Sequence, residues 1–298
     1  MSILAPRQQT ALTRLIATIM TFLSVLGTMS WSDSVDFAGE MGEYMGVILA
    51  DTAMTPRGEK FNPEGYEVVL FDDFNGTQLD TSVWEYRANG ARREGFNSPN
   101  QVRVENGNLI MKAEYHEQGS PDALYGEGWY AGMVRTIQEY TYGYFEMKCI
   151  CSEGGGFWSA WWLNSQAMSG KEASRGGVGG AEIDIFEAFN YKNDKNYDSV
   201  SMNVHVDGYS ETRSLNVGNY KGNNIYKQYN TYALEWTPEE YIFYINGVEC
   251  DRTSFADGVS QGPEYAIISL ELPSEFSEQP GFSTEFIIDS VTIMQKPV

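Results

Sequence analysis

From about Tyr66 almost to the C terminus, apolar and aromatic side chains recur at every second position, and this period of two constrains the fold more than any other feature. Tyr66–Phe71, Gln101–Glu105, Asn108–Ala113, Gly132–Thr136, Gly143–Cys151, Trp158–Leu163, Glu182–Glu187, Ser199–Val206, Asn230–Trp236, Tyr241–Ile245, Ala266–Leu270 and Glu285–Gln295 all read as strands. They are rich in β-branched and aromatic residues and end at Asn-Gly, Asp-Gly, Gly-Gly or proline breaks. Asn106-Gly107 and Asn246-Gly247 are hairpin signals, because both residue types tolerate the positive φ that tight turns demand. No segment keeps a helical period beyond about two turns, and no repeat of about 20–50 residues is present. Strands in this number, each with one apolar face, must bury those faces against one another. The expectation is an all-β sandwich of two antiparallel sheets. Phe145, Met147, Cys149 and Cys151, set against Tyr144, Glu146 and Lys148, show what one buried face looks like.

The 298 residues fit one large domain plus a short extension, or two small domains. Arg7 and Arg14 precede an apolar run from Leu15 to Leu26, and small residues follow at Gly27, Thr28 and Ser30. Residues 1–30 therefore read as a secretory signal or membrane-targeting segment, shorter than the roughly 20 apolar residues of a comfortable span. An uncleaved anchor or an amphipathic start helix is the alternative. Residues 31–65 read as a linker or N-terminal extension with one short helix around Met41–Ala50, and 66–298 as the main domain. The expected location is secreted, at the cell surface, or anchored through the N-terminal segment.

Forty-one acidic against twenty basic residues give a net charge of −21 and a pI near 4.4. Such a surface repels phosphate backbones and argues against a nucleic-acid partner. Two His and three Cys leave little for a zinc site and nothing for a disulfide framework. Cys149 and Cys151 share a core face, and i, i+2 positions on a strand are badly placed to bond each other, so no disulfide is expected.

The chemistry concentrates in Ala181-Glu-Ile-Asp-Ile-Phe-Glu-Ala-Phe189. On a regular strand Glu182 and Asp184 share a face, while Ile183 and Ile185 point into the core. Glu187 would then point into the core too, at a cost of several kcal/mol for a lone carboxylate. An extra residue at Ile185–Phe186, a β-bulge, returns Glu187 to the polar face and sets three carboxylates in a row. The Cα atoms of Glu182 and Glu187 would lie about 13 Å apart. Leaning side chains can close the carboxyl gap to about 5–6 Å, the spacing of a retaining rather than an inverting glycosidase. Asp184 between them separates a nucleophile from a protonated acid by its charge.

Here the sequence resembles glycoside hydrolase family 16, the family of laminarinases, lichenases, agarases and carrageenases. The resemblance runs from about Tyr66 to Val298. It includes V-L-F-D-D-F-N-G (Val69–Gly76), V-R-V-E-N-G-N-L (Val102–Leu109), Y-T-Y-G-Y-F-E-M-K (Tyr140–Lys148), G-F-W-S-A-W-W-L (Gly156–Leu163) and Y-A-L-E-W-T-P (Tyr232–Pro238). The E-x-D-x-x-E spacing is that of the bulged branch, to which laminarinases and agarases belong. The resemblance implies a β-jelly roll with a concave cleft, Glu182 as nucleophile, Glu187 as acid/base and Asp184 as electrostatic helper. It also implies Trp158 and Trp162 as sugar-stacking platforms and His205 near the leaving-group side. A structural, non-catalytic calcium ion would take the carbonyls near Asp73 and Gly107 and the carboxylate of Asp289, and no cofactor is expected for catalysis. Two segments differ from the laminarinase pattern: Ser159 stands for proline, and Ile268–Pro280 for a loop rich in asparagine and glycine. The expected activity is endo cleavage of β-1,3- or mixed β-1,3(4)-glucans by a monomer, with tryptophan platforms that offer no charge complement to sulfate. An endo-galactanase of agarase or porphyranase type, for which Arg92, Arg93 and Arg135 would offset the overall charge, and a transglycosylase are the alternatives. A lectin on the same scaffold has no use for three aligned carboxylates.

Overall fold

The computed structural model describes residues 53–119, 125–169, 176–191, 196–208, 212–272 and 278–297. The leader-like segment and the short helix expected at Met41–Ala50 lie outside these residues. No helix among the described residues is long and apolar enough to cross a membrane.

Phe145, Met147 and Cys149 of β9 (Gly143–Ile150) are fully buried while Glu146 and Lys148 alternate outward, so the period of two becomes a sheet with one face in the core. The larger sheet has eleven strands. They are β1 (Glu67–Asp72), β3 (Gly90–Arg92), β4 (Gly95–Asn97), β5 (Val102–Glu105), β6 (Asn108–His116), β7 (Gly128–Ala131), β9, β14 (Asn230–Trp236), β15 (Tyr241–Ile245), β16 (Val248–Thr253) and β18 (Ser283–Gln295). The smaller sheet has seven, in the order β13 (Arg213–Lys221), β12 (Ser199–Val206), β11 (Ala181–Ala188), β10 (Trp158–Ser165), β17 (Glu264–Glu271), β8 (Met133–Thr136) and β2 (Trp84–Tyr86). Among the described pairs all are antiparallel except β4 with β7. The inner faces meet in one core built around Trp84, Phe145, Trp161, Phe186, Tyr232, Trp236 and Phe286. This is the expected all-β jelly-roll sandwich.

Both Asn-Gly signals make hairpins: Asn106 and Gly107 join β5 to β6, Asn246 and Gly247 join β15 to β16, and all four have positive φ. Strands β2, β3 and β4 escape the sequence reading because three residues are too few to show a period. Strand β13 escapes it because Asn216, Gly218 and Asn219 interrupt its alternation.

Residues 53–62, placed by the sequence in the extension, are packed on the sandwich. Met54 exchanges backbone hydrogen bonds with Asn219 and Lys221 beside β13, Gly58 and Glu59 with Glu249 on β16, and Phe61 stacks on Tyr144 with ring centroids 3.6 Å apart. Strands β13 and β16 are the edges of the two sheets, so this segment gives otherwise open edges a backbone partner. Cys149, Cys151 and Cys250 are all buried free thiols.

Candidate active site

The bulge inferred from the carboxylate spacing is present. Strand β11 pairs Asp184 with Asn203 and Glu187 with Ser201, three steps against two. On the other side Phe186 faces Trp161 and Asp184 faces Trp162, so Ile185 is the additional residue. Ile183, Ile185 and Phe186 are fully buried, while Glu182, Asp184 and Glu187 all reach the outer face of the smaller sheet. Burying both Ile185 and Phe186 is the local reason for the bulge, since a regular strand would send one of them into water.

The neighbouring strands complete the site. On β10 the small Ala160 lies opposite Glu187 between Trp158 and Trp162, leaving room above the sheet for the carboxyl. Trp158 Nε1 donates to Glu187 Oε1 at 3.1 Å, and Asn203 Nδ2 donates to Glu187 Oε2 at 2.7 Å. Asn164 Nδ2 donates to Glu182 Oε2 at 2.7 Å. His205 donates from Nε2 to Asp184 Oδ2 at 3.1 Å, and its Nδ1 meets Ser214 Oγ at 2.6 Å. Oxygen and nitrogen atoms of Glu182, Asp184 and His205 lie within 4.8 Å of one another.

These contacts divide the protons unequally. Burial, followed by the negative charges of Asp184 and Glu182, pushes the Glu187 carboxyl up to about 8, against the opposing effects of His205 and the Asn203 amide. Burial disfavours a charged His205, but its hydrogen bond to Asp184 and the charges of Asp184, Glu182 and Glu187 outweigh this and push the imidazole up to about 9. Near neutral pH the site therefore holds a protonated Glu187 beside an Asp184–His205 ion pair. A proton donor and a carboxylate nucleophile on one strand can protonate a leaving oxygen and attack the carbon it leaves.

The carboxylates open into a cavity of about 240 Å³ whose walls include Arg87, Arg92, Arg93, Met133, Trp158, Trp162 and Glu271. Its charge differs from expectation: the tryptophans do have cationic neighbours. The Arg93 guanidinium lies over the Trp158 ring at 4.6 Å and Arg87 over Trp162 at 5.8 Å. Trp162 is only 7% exposed and donates its Nε1 to Ser269 Oγ, so it forms wall rather than an open platform, whereas Trp158 is half-buried. His205 uses both ring nitrogens within the protein, one on Asp184 and one on Ser214. Arg92 grips the buried Glu271 through two nitrogens, Arg93 shares that carboxylate, and Arg135 is spent on Glu85. Arg87 was not anticipated; it makes no ion pair with another described residue. Asn164 and Asn203 were legible by extending the period of two from Trp162 and His205. Glu271 was not, because nothing in its own strand marks it.

The positions proposed for calcium converge at one junction. Strand β18 passes from pairing with β6 at Ile288 to pairing with β1 at Val291, and Asp289 sits between them. Asp73 follows β1 and Gly107 precedes β6, so oxygen donors can gather there, as a hard cation requires. Lys148 Nζ, however, already lies 3.2 Å from Asp289 Oδ2 and over the Tyr229 ring at 5.1 Å. Asp73 Oδ2 accepts from Asn75 Nδ2 at 2.5 Å. Of the three positions, Asp289 already carries a protein cation.

A family model described as Beta-porphyranase A-D, GH16 domain matches residues 68–277. The chain is 26% identical over 204 residues to glucan endo-1,3-beta-glucosidase A1 of Niallia circulans, covering 61% of this chain and 29% of that protein. It is 22% identical over 187 residues to the keratan-sulfate endo-1,4-beta-galactosidase of Sphingobacterium multivorum, covering 61% and 42%. The chain thus spans less than half the length of either relative. Its fold matches the crystal structure of a non-specific endo-beta-1,3(4)-glucanase of the same family with a TM-score of 0.64 and 22% identity, over 83% of this chain and 98% of that one. The family model covers well over half of the chain, and the carboxylate strand lies inside the matched span: the chain belongs to glycoside hydrolase family 16.

Proposed function

We propose that this chain is an endo-acting, retaining glycoside hydrolase that cleaves β-1,3- or mixed β-1,3(4)-glucans by double displacement. The observation that carries the reaction class is the bulged strand, which puts Glu182, Asp184 and Glu187 on one face with Glu187 held protonated. Glu187 gives its proton to the glycosidic oxygen as the C–O bond breaks, while a Glu182 oxygen attacks the anomeric carbon to form a glycosyl ester. The Glu187 carboxylate then takes a proton from a water that attacks the same carbon, which releases the sugar and restores both groups. Asn164 orients Glu182, and Asp184 with His205 holds a fixed ion pair beside the carbon where positive charge develops. The glucan assignment is supported by the relatives' activities and by the half-buried Trp158 indole, a flat apolar surface for a pyranose. The leader-like character of residues 1–30 supports action outside the cell, where such polymers are met.

A second reading, an endo-galactanase acting on a sulfated chain of porphyran type, is favoured by two observations: the porphyranase description of the family model, and the arginines in the cleft, Arg87 above all. An ester sulfate is a partner for a half-buried guanidinium that pairs with no carboxylate among the described residues.

The test is reducing-sugar release from laminarin, lichenan, barley β-glucan, agarose and porphyran. Cleavage of laminarin or barley glucan, with viscosity falling faster than reducing ends appear and the β-anomer as first product, is expected. Cleavage of porphyran with both glucans untouched, abolished by Arg87→Ala, would move the chain to the second reading. A first product of inverted configuration would refute the mechanism for either substrate.

A further inference from the structure

We propose that Glu264 is a positioning residue for Glu182, its buried carboxyl holding the N-terminal end of the catalytic strand in place. The inference rests on Glu182 and Glu187 being the catalytic pair. Strand β10 ends at Ser165 and turns into a single helical turn, Gln166–Ser169, so its ladder with β11 stops at Asn164 and Glu182. Ala181, the residue before the nucleophile, keeps Val206 as its partner on the β12 side but has no backbone partner toward β10. Glu264 reaches across from β17, at the position opposite Ser165, and its Oε1 accepts the Ala181 N–H at 3.1 Å. No bulkier residue next door could take that place: Gly180 has φ +121, and a Cβ there would lie 2.5 Å from Ser165 Oγ. Glu264 is itself fixed, since its backbone N–H and carbonyl both bond to Tyr140 at 2.8 Å.

Among the described residues this carboxyl has no countercharge. Glu264 is fully buried and its Oε2 has no hydrogen-bond partner among them. The titratable groups facing it are Glu182 from β11 and Tyr241 from β15; the Ser260 hydroxyl adjoins it, and Tyr140 contributes backbone only. No cation is among them. Burial pushes the carboxyl up to about 8, with Glu182 adding to the effect and the Ser260 and Ala181 contacts opposing it. Below that pH it is a neutral acid that anchors Ala181 without adding charge behind the nucleophile. Above it, an unpaired negative charge is buried next to the catalytic strand, a state the strand end must move to relieve. Two acids, Glu187 and Glu264, must then both stay protonated for turnover, so the alkaline limb should be steeper than one proton can make it.

Infrared pH titration of the folded parent should show two buried carboxylic acids ionising near pH 8, one missing in Glu187→Gln and the other in Glu264→Gln. On whichever of the five polysaccharides the parent cleaves, log kcat should fall with a limiting slope of about −2 above pH 8, and about −1 in Glu264→Gln. Glu264→Leu, which removes the Ala181 acceptor, should lower kcat by about tenfold or more at pH 6.5 with KM within about twofold. Should Glu264→Leu fail to fold, the Glu264→Gln slope and the infrared band decide alone. A parental slope of about −1 that Glu264→Gln leaves unchanged, or no second acid band, would overturn the proposal. An active Glu182→Gln would instead remove the catalytic reading beneath it, so the two failures are distinguishable.

Discussion

His205 Nε2 lies 3.1 Å from Asp184 Oδ2, although the residue directly across the ladder from His205 is Glu182. The imidazole reaches diagonally and binds the middle carboxylate, and the same displacement lets Asn203, opposite Asp184, bind Glu187. The bulge lies between Asp184 and Glu187 and sets the second of these diagonals; the first belongs to the regular ladder. Each member of the triad thus has its own partner: Asn164 for Glu182, His205 for Asp184, and Asn203 with Trp158 for Glu187.

Glu182→Gln and Glu187→Gln should each lower kcat on unactivated polysaccharide by at least about 10³-fold, the scale on which loss of a nucleophile or acid acts. Both side chains project into the cleft, so circular dichroism and melting should stay near the parent. An aryl glycoside with a good leaving group should restore much of the glycosylation rate to Glu187→Gln, because it needs no proton. Near-parental polysaccharide hydrolysis by Glu187→Gln would remove that residue from the acid role.

Because the Glu187 carboxyl is raised, its acid form is present below about 8 and lost as pH rises through it, which places the alkaline limb of kcat there. The imidazolium of His205 works against that rise, so His205→Ala should move the limb to higher pH. A limb that moved downward, measured from initial rates across pH 6–10, would contradict the sign of this coupling.

His205 also links stability to pH. Its folded value, about 9, lies above the unfolded value of about 6.5, so its contribution is full below the latter and lost as pH rises through the former. His205→Ala should therefore destabilise by on the order of 2 kcal/mol at pH 6 and far less at pH 10. Denaturant unfolding at the two pH values checks this, and equal losses would show that packing, not charge, is what was removed.

At the junction proposed for calcium Lys148 supplies Asp289 with a cation, but both side chains are more than a third exposed, so their pairing contributes little. Chelation should leave the parent's Tm within about 2 °C, whereas Lys148→Met should gain several degrees on adding millimolar calcium. A parent that melts much lower in chelator would show that calcium displaces the lysine.

A Cβ on Gly58 would sit 2.5 Å from Glu249 Cβ and 2.9 Å from its carbonyl oxygen. Gly58→Ala should thus push the edge-covering segment off β16 and cost about 1–3 kcal/mol. Unchanged denaturant midpoints would mean that the segment does not hold this edge.

Local physics made much of this protein legible in its sequence. A period of two can be satisfied only by pleated strands, Asn-Gly pairs only by tight turns, and three carboxylates in an apolar run only by a bulge that keeps them out of the core. These depend on residues close together in the chain, and the sandwich, both hairpins and the Ile185 bulge follow from them. The tertiary structure decided what no window of sequence contains: Arg87 over Trp162, Glu271 beneath two arginines, Lys148 at Asp289, and Glu264 on the N–H of Ala181. Each joins residues from separate strands, and contacts of that kind are fixed by sheet order and register. Burial and charge then set the protonation of Glu187, which its residue type alone would have left ionised.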